Sequence, residues 1–289
     1  MFWRLRAARS MRSRELRSSY DLLLDWFRDA GSALVAFSGG VDSTLLTKAA
    51  FDALGDRAVA VTAVSASLAP RELDEARRLA DSIGIAHRLE TSSETSLPQY
   101  LVNDENRCYH CKTELYSICA GIARELDLAV IVNGLNTDDL SDHRPGNRAA
   151  EEANVRSPFV ELGLDKEAIR AHSRRLGLPT AEKPELACLA SRFPTGTPIT
   201  VGGLERVAAA EEVVASLGFS QYRVRYHGDV ARIEVPAAEL GRLVDDGLRQ
   251  RLLEGVRGAG FRFVTVDLAG YARGSSNPLA MGNDPDRPR

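Results

Sequence analysis

The sequence predicts an α/β protein: a doubly wound parallel sheet followed by a smaller C-terminal α+β domain. Three observations carry that reading. Apolar, strand-like runs at Ala33–Phe37, Ala58–Ser65 and Leu128–Asn133 alternate with amphipathic stretches at Asp42–Leu54, Arg71–Ile83 and Thr113–Leu126, as successive βαβ units require. The hexapeptide Ser38-Gly39-Gly40-Val41-Asp42-Ser43 sits between the first run and the first helical stretch. Between Pro179 and Gly203 the composition changes, with Pro184, Pro194, Gly196, Pro198, Gly202 and Gly203 interrupting any regular element.

In chain order, residues 1–20 read as a basic extension, with Arg4, Arg6, Arg9, Arg12, Arg14 and Arg17 against Glu15 alone and no apolar stretch of the kind a secretory signal needs. The sheet domain is expected over 21–195, with Ala86–Glu90 adding a short strand. Ligands of such sheets bind at the carboxyl ends of strands, near a topological switch point. The glycine loop, Ser65-Ala66-Ser67 and the segment Asn133–Asp139 all follow strand ends. The small domain is expected over 196–275: a helix at Leu204–Leu217, a hairpin of Tyr222–His227 and Ala231–Val235 across Gly228-Asp229, a helix at Ala237–Val256 and a strand at Phe261–Val266. The polar tail 276–289 is expected to be disordered.

The 289 residues suffice for two domains, each with its own core. A net charge of −3 with both signs abundant creates no field suited to nucleic acid or an anionic membrane. Only four of the 37 basic residues are lysines, so the arginine richness reads as a chain-wide bias. No apolar run approaches the roughly 20 residues of a spanning helix. The expectation is a cytoplasmic, soluble protein.

A strand that turns through two glycines into a helix aims backbone N–H groups and the positive end of the helix dipole at one point, which suits an oligophosphate. Ser38 and Ser43 add hydroxyl donors that an ordinary strand–helix turn does not need. The spacing matches neither a Walker loop nor the three-glycine dinucleotide fingerprint. Asp138, Asp139 and Asp142, at the end of another strand, are hard oxygen ligands or hydrogen-bond acceptors, and ATP chemistry uses Mg²⁺ to bridge phosphates. Arg144 offers a phosphate or carboxylate partner, while a helix-capping cluster with solvated acids is the plainer alternative.

Four cysteines in a chain of this size do not read as a disulfide framework. Cys119 falls on the apolar face of Leu115, Ile118, Ile122 and Leu126 and reads as core. Cys108, Cys111 and Cys188 remain. Three thiolates with no obvious fourth can hold a [4Fe-4S] cluster with one iron left open. Zinc on three thiolates with His110 or water, a redox pair and unligated structural thiols stay open as alternatives.

Arg107-Cys-Tyr-His-Cys-Lys112, Asn133-Gly-x-Asn-x-Asp-Asp139, Lys183-Pro-x-x-Ala-Cys-Leu-Ala-Ser-Arg-Phe-Pro194 and Tyr222-Arg-Val-Arg-Tyr-His227 accompany the glycine loop. With these motifs the chain resembles the LarE family of ATP-dependent sulfur transferases, within the PP-loop ATP pyrophosphatase superfamily, from about Asp21 to about Arg273. The resemblance implies that a carboxylate of pyridinium-3,5-biscarboxylic acid mononucleotide is adenylated with release of PPi and then converted to a thiocarboxylate, in the synthesis of the nickel-pincer nucleotide. It assigns ATP and its Mg²⁺ to Ser38, Gly39, Gly40, Asp42, Ser43, Gly134, Asp138 and Asp139, with Asp42 also catalytic. It places Ser191 and Arg192 in the active-site loop beside Cys188, gives Arg223 and Arg225 the substrate phosphate, and adds Glu211 more weakly, from a helix that could equally present a polar surface. Both sulfur sources of the family remain in view: sacrifice of the Cys188 sulfur, or a [4Fe-4S] cluster on Cys108, Cys111 and Cys188, which the Cys-x-x-Cys pair favours. The family is also homo-oligomeric.

Two rival classes bear comparison. Another PP-loop reaction, such as tRNA thiolation or amide synthesis, would be accompanied in the tRNA case by a basic surface or an RNA-binding module. A regulatory protein that holds ATP without turning it over has no need of an acid cluster aimed at phosphates.

Overall fold

The computed structural model of the chain describes residues 18–141, 145–184 and 187–272. In chain order these form α1 (Ser19–Ala30), β1 (Ala33–Ala36), α2 (Val41–Leu54), β2 (Ala58–Val64), α3 (Pro70–Ile83), β3 (Ala86–Thr91), α4 (Pro98–Leu101), α5 (Arg107–Glu125), β4 (Val130–Val132), α6 (Pro145–Glu152), α7 (Pro158–Glu161), α8 (Lys166–Arg175), α9 (Val201–Ser216), β5 (Arg223–His227), β6 (Val230–Glu234), α10 (Leu240–Leu243), α11 (Asp246–Gly258) and β7 (Phe263–Val266). The basic segment as far as residue 17, Asp142 and Arg144, and the tail from residue 273 lie outside the described residues. Among the described residues no helix is long and apolar enough to cross a membrane.

Two compact units interleave along the chain. One takes residues 18–63, 74–90 and 115–184; the other takes 64–73, 91–114 and 187–272. The composition break at Pro179–Gly203 coincides only with the last crossing. Two earlier crossings fall inside α3 and α5, regular helices that carry no turn signal at those points.

The first unit is built on a sheet of order β3-β2-β1-β4, with β1 parallel to both neighbours and Ala33 opposite Ala58 and Val130. Successive side chains of a strand point to opposite faces. Ala33, Val35, Ala58 and Ala60 therefore share one core with Leu23 and Phe27 of α1, Leu45, Leu46 and Ala49 of α2, and Leu79 of α3. Leu34, Val59 and Val61 join the opposite core, with Cys119, Ile122 and Ala123 of α5. Burial on both faces explains why β1 is apolar without alternation, and it makes the sheet doubly wound. The chain steps outward through β1, β2 and β3 and then returns to place β4 on the other side of β1, so the switch point lies between β1 and β4.

The second unit carries a three-stranded sheet of order β5-β6-β7. The expected hairpin is present: β5 and β6 are antiparallel, and Gly228 takes φ +64° in its turn. β7 then pairs parallel to β6. Phe193, the α9 residues Leu204, Val207 and Val214, and Val224, Ile233, Val256 and Phe261 form its core. The single helix expected over Ala237–Val256 is broken, because the Asp245 carboxylate accepts the Leu248 N–H at 3.4 Å and starts α11 afresh.

Candidate active site: a phosphate loop and a cysteine turn

Ser38, Gly39 and Gly40 connect β1 to α2 at the switch point of the first unit. Gly39 takes φ +71°, and a Cβ there would stand 3.3 Å from the Ala76 Cβ. Both facts disfavour a side chain. Gly40 occupies the N-cap in an extended conformation and offers no side chain to the first N–H groups of α2, which are thereby kept for an anion at the positive end of the helix. The Ser38 and Ser43 hydroxyls lie 3.1 Å apart, and the Ser43 hydroxyl donates to the Gly40 carbonyl at 3.2 Å.

Acidic residues gather beside this loop through two organising side chains. The Asp42 carboxylate accepts from Asn136 Nδ2 at 3.3 Å and from Lys166 Nζ at 2.6 Å. Asn136, buried at 1 % exposure, accepts the Asp138 N–H on its Oδ1 at 3.0 Å and donates its own N–H to Asp139 Oδ2 at 3.3 Å. The Lys166 N–H donates to Asp138 Oδ2 at 3.1 Å. Gly134 permits the approach: a Cβ there would stand 3.0 Å from Ser43 N and 3.1 Å from Asp42 Cβ. Among the described residues no three metal-ligating side chains form a ready ion site. Mg²⁺ needs only one or two carboxylates when phosphate and water complete its shell, so Asp138 and Asp139 suit an ion that arrives with a nucleotide.

Sequence reasoning missed two residues here. Lys166 pairs with Asp42, while Lys183 donates to the Gly39 carbonyl at 3.1 Å and pairs with Glu75 at 2.8 Å. The signal was present in the composition. A chain with four lysines among 37 basic residues puts two of them at one glycine loop.

The second unit holds the three candidate thiols. α5 begins at Arg107, six residues before the expected Thr113, so Cys108 and Cys111 sit at its start with i,i+3 spacing on one face. The mixed aromatic and polar stretch before Thr113 has no apolar periodicity to announce a helix. Cys108 and Cys188 are exposed, Cys111 is half-buried, and all are reduced. Desolvation pushes the Cys111 thiol up, and the Glu94 carboxylate and Cys188 push in the same direction. Cys188, though solvent can reach it, is ringed by enough protein that desolvation raises its thiol as well; Arg107 opposes that rise, and Cys108 adds to it. Cys188 is thus the thiol that relates to both others, raised by Cys108 and itself raising Cys111. Glu94 is itself buried and accepts from the Ser65 hydroxyl at 2.6 Å and from that of Ser67. Cys119 is fully buried in the core of the first unit.

Cys188 precedes a 3₁₀ turn, Leu189–Arg192, whose carbonyls are held by arginines. Arg192 donates to the carbonyls of Ala187 at 2.7 Å and Cys188 at 3.1 Å, Arg107 to that of Ala190 at 3.0 Å, and Arg225 to that of Ser191 at 3.0 Å. Arg192 and Arg225 are also forked onto buried carboxylates, Glu211 at 2.8 and 2.9 Å and Glu234 at 3.0 and 2.8 Å. Glu211 is thus an interior ion-pair partner rather than part of a polar helix surface, and it also accepts the Val224 N–H at 3.0 Å. Arg223, over the Tyr271 ring at 5.2 Å, has its pKa lowered by desolvation and then by Arg192, with Arg225 acting in the same sense. Arg192, Arg223 and Arg225 are all buried in this unit, as are the carboxylates of Glu94, Glu211 and Glu234.

No family model matches the chain. It is 46 % identical over 262 residues to an uncharacterized protein of Synechocystis sp., covering 91 % of this chain and 98 % of that protein. It is 38 % identical over 251 residues to the pyridinium-3,5-bisthiocarboxylic acid mononucleotide synthase of Lactiplantibacillus plantarum, covering 86 % of this chain and 90 % of that enzyme. The chain belongs to the LarE family. At greater distance, this LarE-family chain is 29 % identical over 280 residues to the tRNA-specific 2-thiouridylase MnmA of Acidiphilium cryptum, with 81 % and 80 % of the two chains covered. That relation agrees with a PP-loop fold and with ATP-using sulfur transfer.

Proposed function

We propose that this LarE-family protein uses ATP to replace a carboxylate oxygen of pyridinium-3,5-biscarboxylic acid mononucleotide with sulfur, releasing AMP and PPi, on the route to the nickel-pincer nucleotide. The observation that carries the reading is the presence on one chain of a two-glycine phosphate loop with attendant acids and lysines, and of a cysteine turn set among buried arginines.

The chemistry needs both. A carboxylate does not react with a sulfur nucleophile, because its leaving group would be oxide. Attack of the carboxylate oxygen on the α-phosphorus of ATP expels PPi and makes AMP the leaving group. The α2 N–H groups, the Ser38 and Ser43 hydroxyls, Lys166 and Lys183 are the donors available to the departing pyrophosphate. Asp138 and Asp139 would hold Mg²⁺ arriving with the nucleotide, and the ion would supply charge neutralisation for the departing pyrophosphate. Asp42 keeps the Lys166 ammonium oriented. Arg223, backed by Arg225, is the anion anchor for the mononucleotide phosphate, and Ser191 belongs to the turn that follows Cys188. Sulfur then adds to the acyl carbon, AMP leaves, and a thiocarboxylate remains.

For the sulfur source, the Cys108-x-x-Cys111 pair at the start of α5, together with Cys188 in the same unit, supports a shared [4Fe-4S] cluster, which these three thiols would hold. When bound, such a cluster supplies a sulfide that is not part of the polypeptide. The sacrificial reading keeps one observation in its favour, the solvent access of Cys188.

The test is anaerobic purification followed by incubation with ATP, Mg²⁺ and the pyridinium dicarboxylate. AMP, PPi and thiocarboxylate should appear together, with iron bound in the wild type and lost from Cys108→Ala. Absence of AMP and PPi would end the proposal. Metal-free protein that makes one thiocarboxylate per chain, with Cys188 lighter by the mass of H₂S, would select the sacrificial route.

A further inference from the structure

We propose that Arg107 is a positioning residue for sulfur transfer: its guanidinium, clamped by Asn103, ties the Cys108–Cys111 end of α5 to the Cys188 turn and sets the spacing of the thiols. The inference deepens the sulfur-transfer reading above and rests on it for its purpose, though not for its geometry.

Arg107 immediately precedes Cys108. Its Nη1 donates both to the Ala190 carbonyl at 3.0 Å and to Asn103 Oδ1 at 2.6 Å, and its Nη2 lies 3.7 Å from Cys108 Sγ. Asn103 is built for this task. It is buried at 1 % exposure and takes φ +57°, a left-handed conformation that asparagine tolerates. Its Nδ2 donates to the carbonyls of Pro194 at 2.9 Å and Thr197 at 2.8 Å, and its own carbonyl accepts the Gly196 N–H at 2.8 Å. One amide and one guanidinium therefore join the residues leading into α5, the Cys188 turn and the turn at 194–197.

A cation at that position has a second consequence. Burial opposes the charge on Arg107, while Cys188 and then Cys108 favour it. Arg192 grips the opposite side of the turn through the Ala187 and Cys188 carbonyls. With Arg107 removed, the turn keeps that grip and loses its tie to α5. Lysine would keep a cation but not the planar guanidinium, in which Nη1 meets Asn103 and Ala190 while Nη2 lies by Cys108.

The experiment uses the reduced, metal-free full chain and a series of thiol-to-thiol cross-linkers of graded span, with the joined Cys108 and Cys188 peptides quantified by mass spectrometry. Iron per chain is measured in parallel after anaerobic reconstitution. Wild type should favour one span. In Arg107→Ala the yield at that span should fall about tenfold, the scale of one lost charged hydrogen bond, and the preference should flatten. Arg107→Lys should fall between. Asn103→Gly, which keeps the backbone conformation and removes the clamp, should behave like Arg107→Ala and covers the case in which that variant does not fold. An unchanged span preference in folded Arg107→Ala, or in Asn103→Gly, would overturn the proposal, even if either variant were less stable to heat. If the preference depends on Arg107 but wild type binds no iron, the positioning role stands and the cluster reading fails. If iron binds equally to wild type and Arg107→Ala with the same span preference, the reverse holds.

Discussion

The phosphate loop and the cysteine turn are both short connections at the ends of regular elements, and they treat their backbones in opposite ways. At Ser38–Gly40 the donors matter: glycine at the N-cap leaves the first N–H groups of α2 without a side-chain partner. At Ala187–Ser191 the acceptors matter, and four carbonyls are covered by Arg192, Arg107 and Arg225. Bare donors at a helix start suit an anion that must arrive and depart. Carbonyls covered by buried guanidiniums suit a sulfur that must stay where it is put. One loop is built to receive charge, the other to hold a position.

The sharpest way to break that contrast is Cys188→Ala. If the cysteine turn serves only sulfur delivery, thiocarboxylate should become undetectable while PPi release, driven by the dicarboxylate, continues. Both are read from one reaction by mass spectrometry and a pyrophosphate assay. Loss of PPi release as well would mean that the turn also serves adenylation. Next in size is Glu234→Gln. The Arg225–Glu234 pair is at most 6 % exposed, and removing one partner of such a pair costs about 3–5 kcal/mol. Urea unfolding should show a loss of that order, whereas a surface pair such as Arg249–Asp246 should contribute at most about 1 kcal/mol.

How much of this was legible in the sequence depends on whether the signal was local. The glycine loop, the acids Asp138 and Asp139 that follow β4 and the β5–β6 hairpin are defined by neighbouring residues, and these stand where their spacing places them. The interleaving of the two units is not local, because α3 and α5 pass between them without a break in helical pattern. The buried pairs Arg192–Glu211 and Arg225–Glu234 were equally invisible. A charged residue on a helix or strand reads as solvated until its partner, 19 or nine positions away, is seen to share its interior.

Lys166 tests the first half of the contrast. If its ammonium is a donor to departing pyrophosphate, Lys166→Met should lower the rate of PPi release by about 10²–10³-fold, the range expected when one group stabilising developing charge is removed. Lys166→Arg should retain part of the rate, and thiocarboxylate formed per PPi released should not change in either variant. A change in that ratio would place Lys166 in the sulfur step instead.

The smallest effect belongs to Cys119, which sharpens the second half of the contrast because this cysteine is buried in the core of the first unit. Its side chain is fully buried among Leu34, Val59, Val61, Ile122 and Ala123. Cys119→Ala removes one sulfur from that core, and the small cavity should cost on the order of 1 kcal/mol, measured by urea unfolding. Iron per chain, thiocarboxylate yield and PPi release should all match the wild type. Lost iron would show that the fourth cysteine takes part in the sulfur centre, and the division between one packing thiol and three positioned ones would fall.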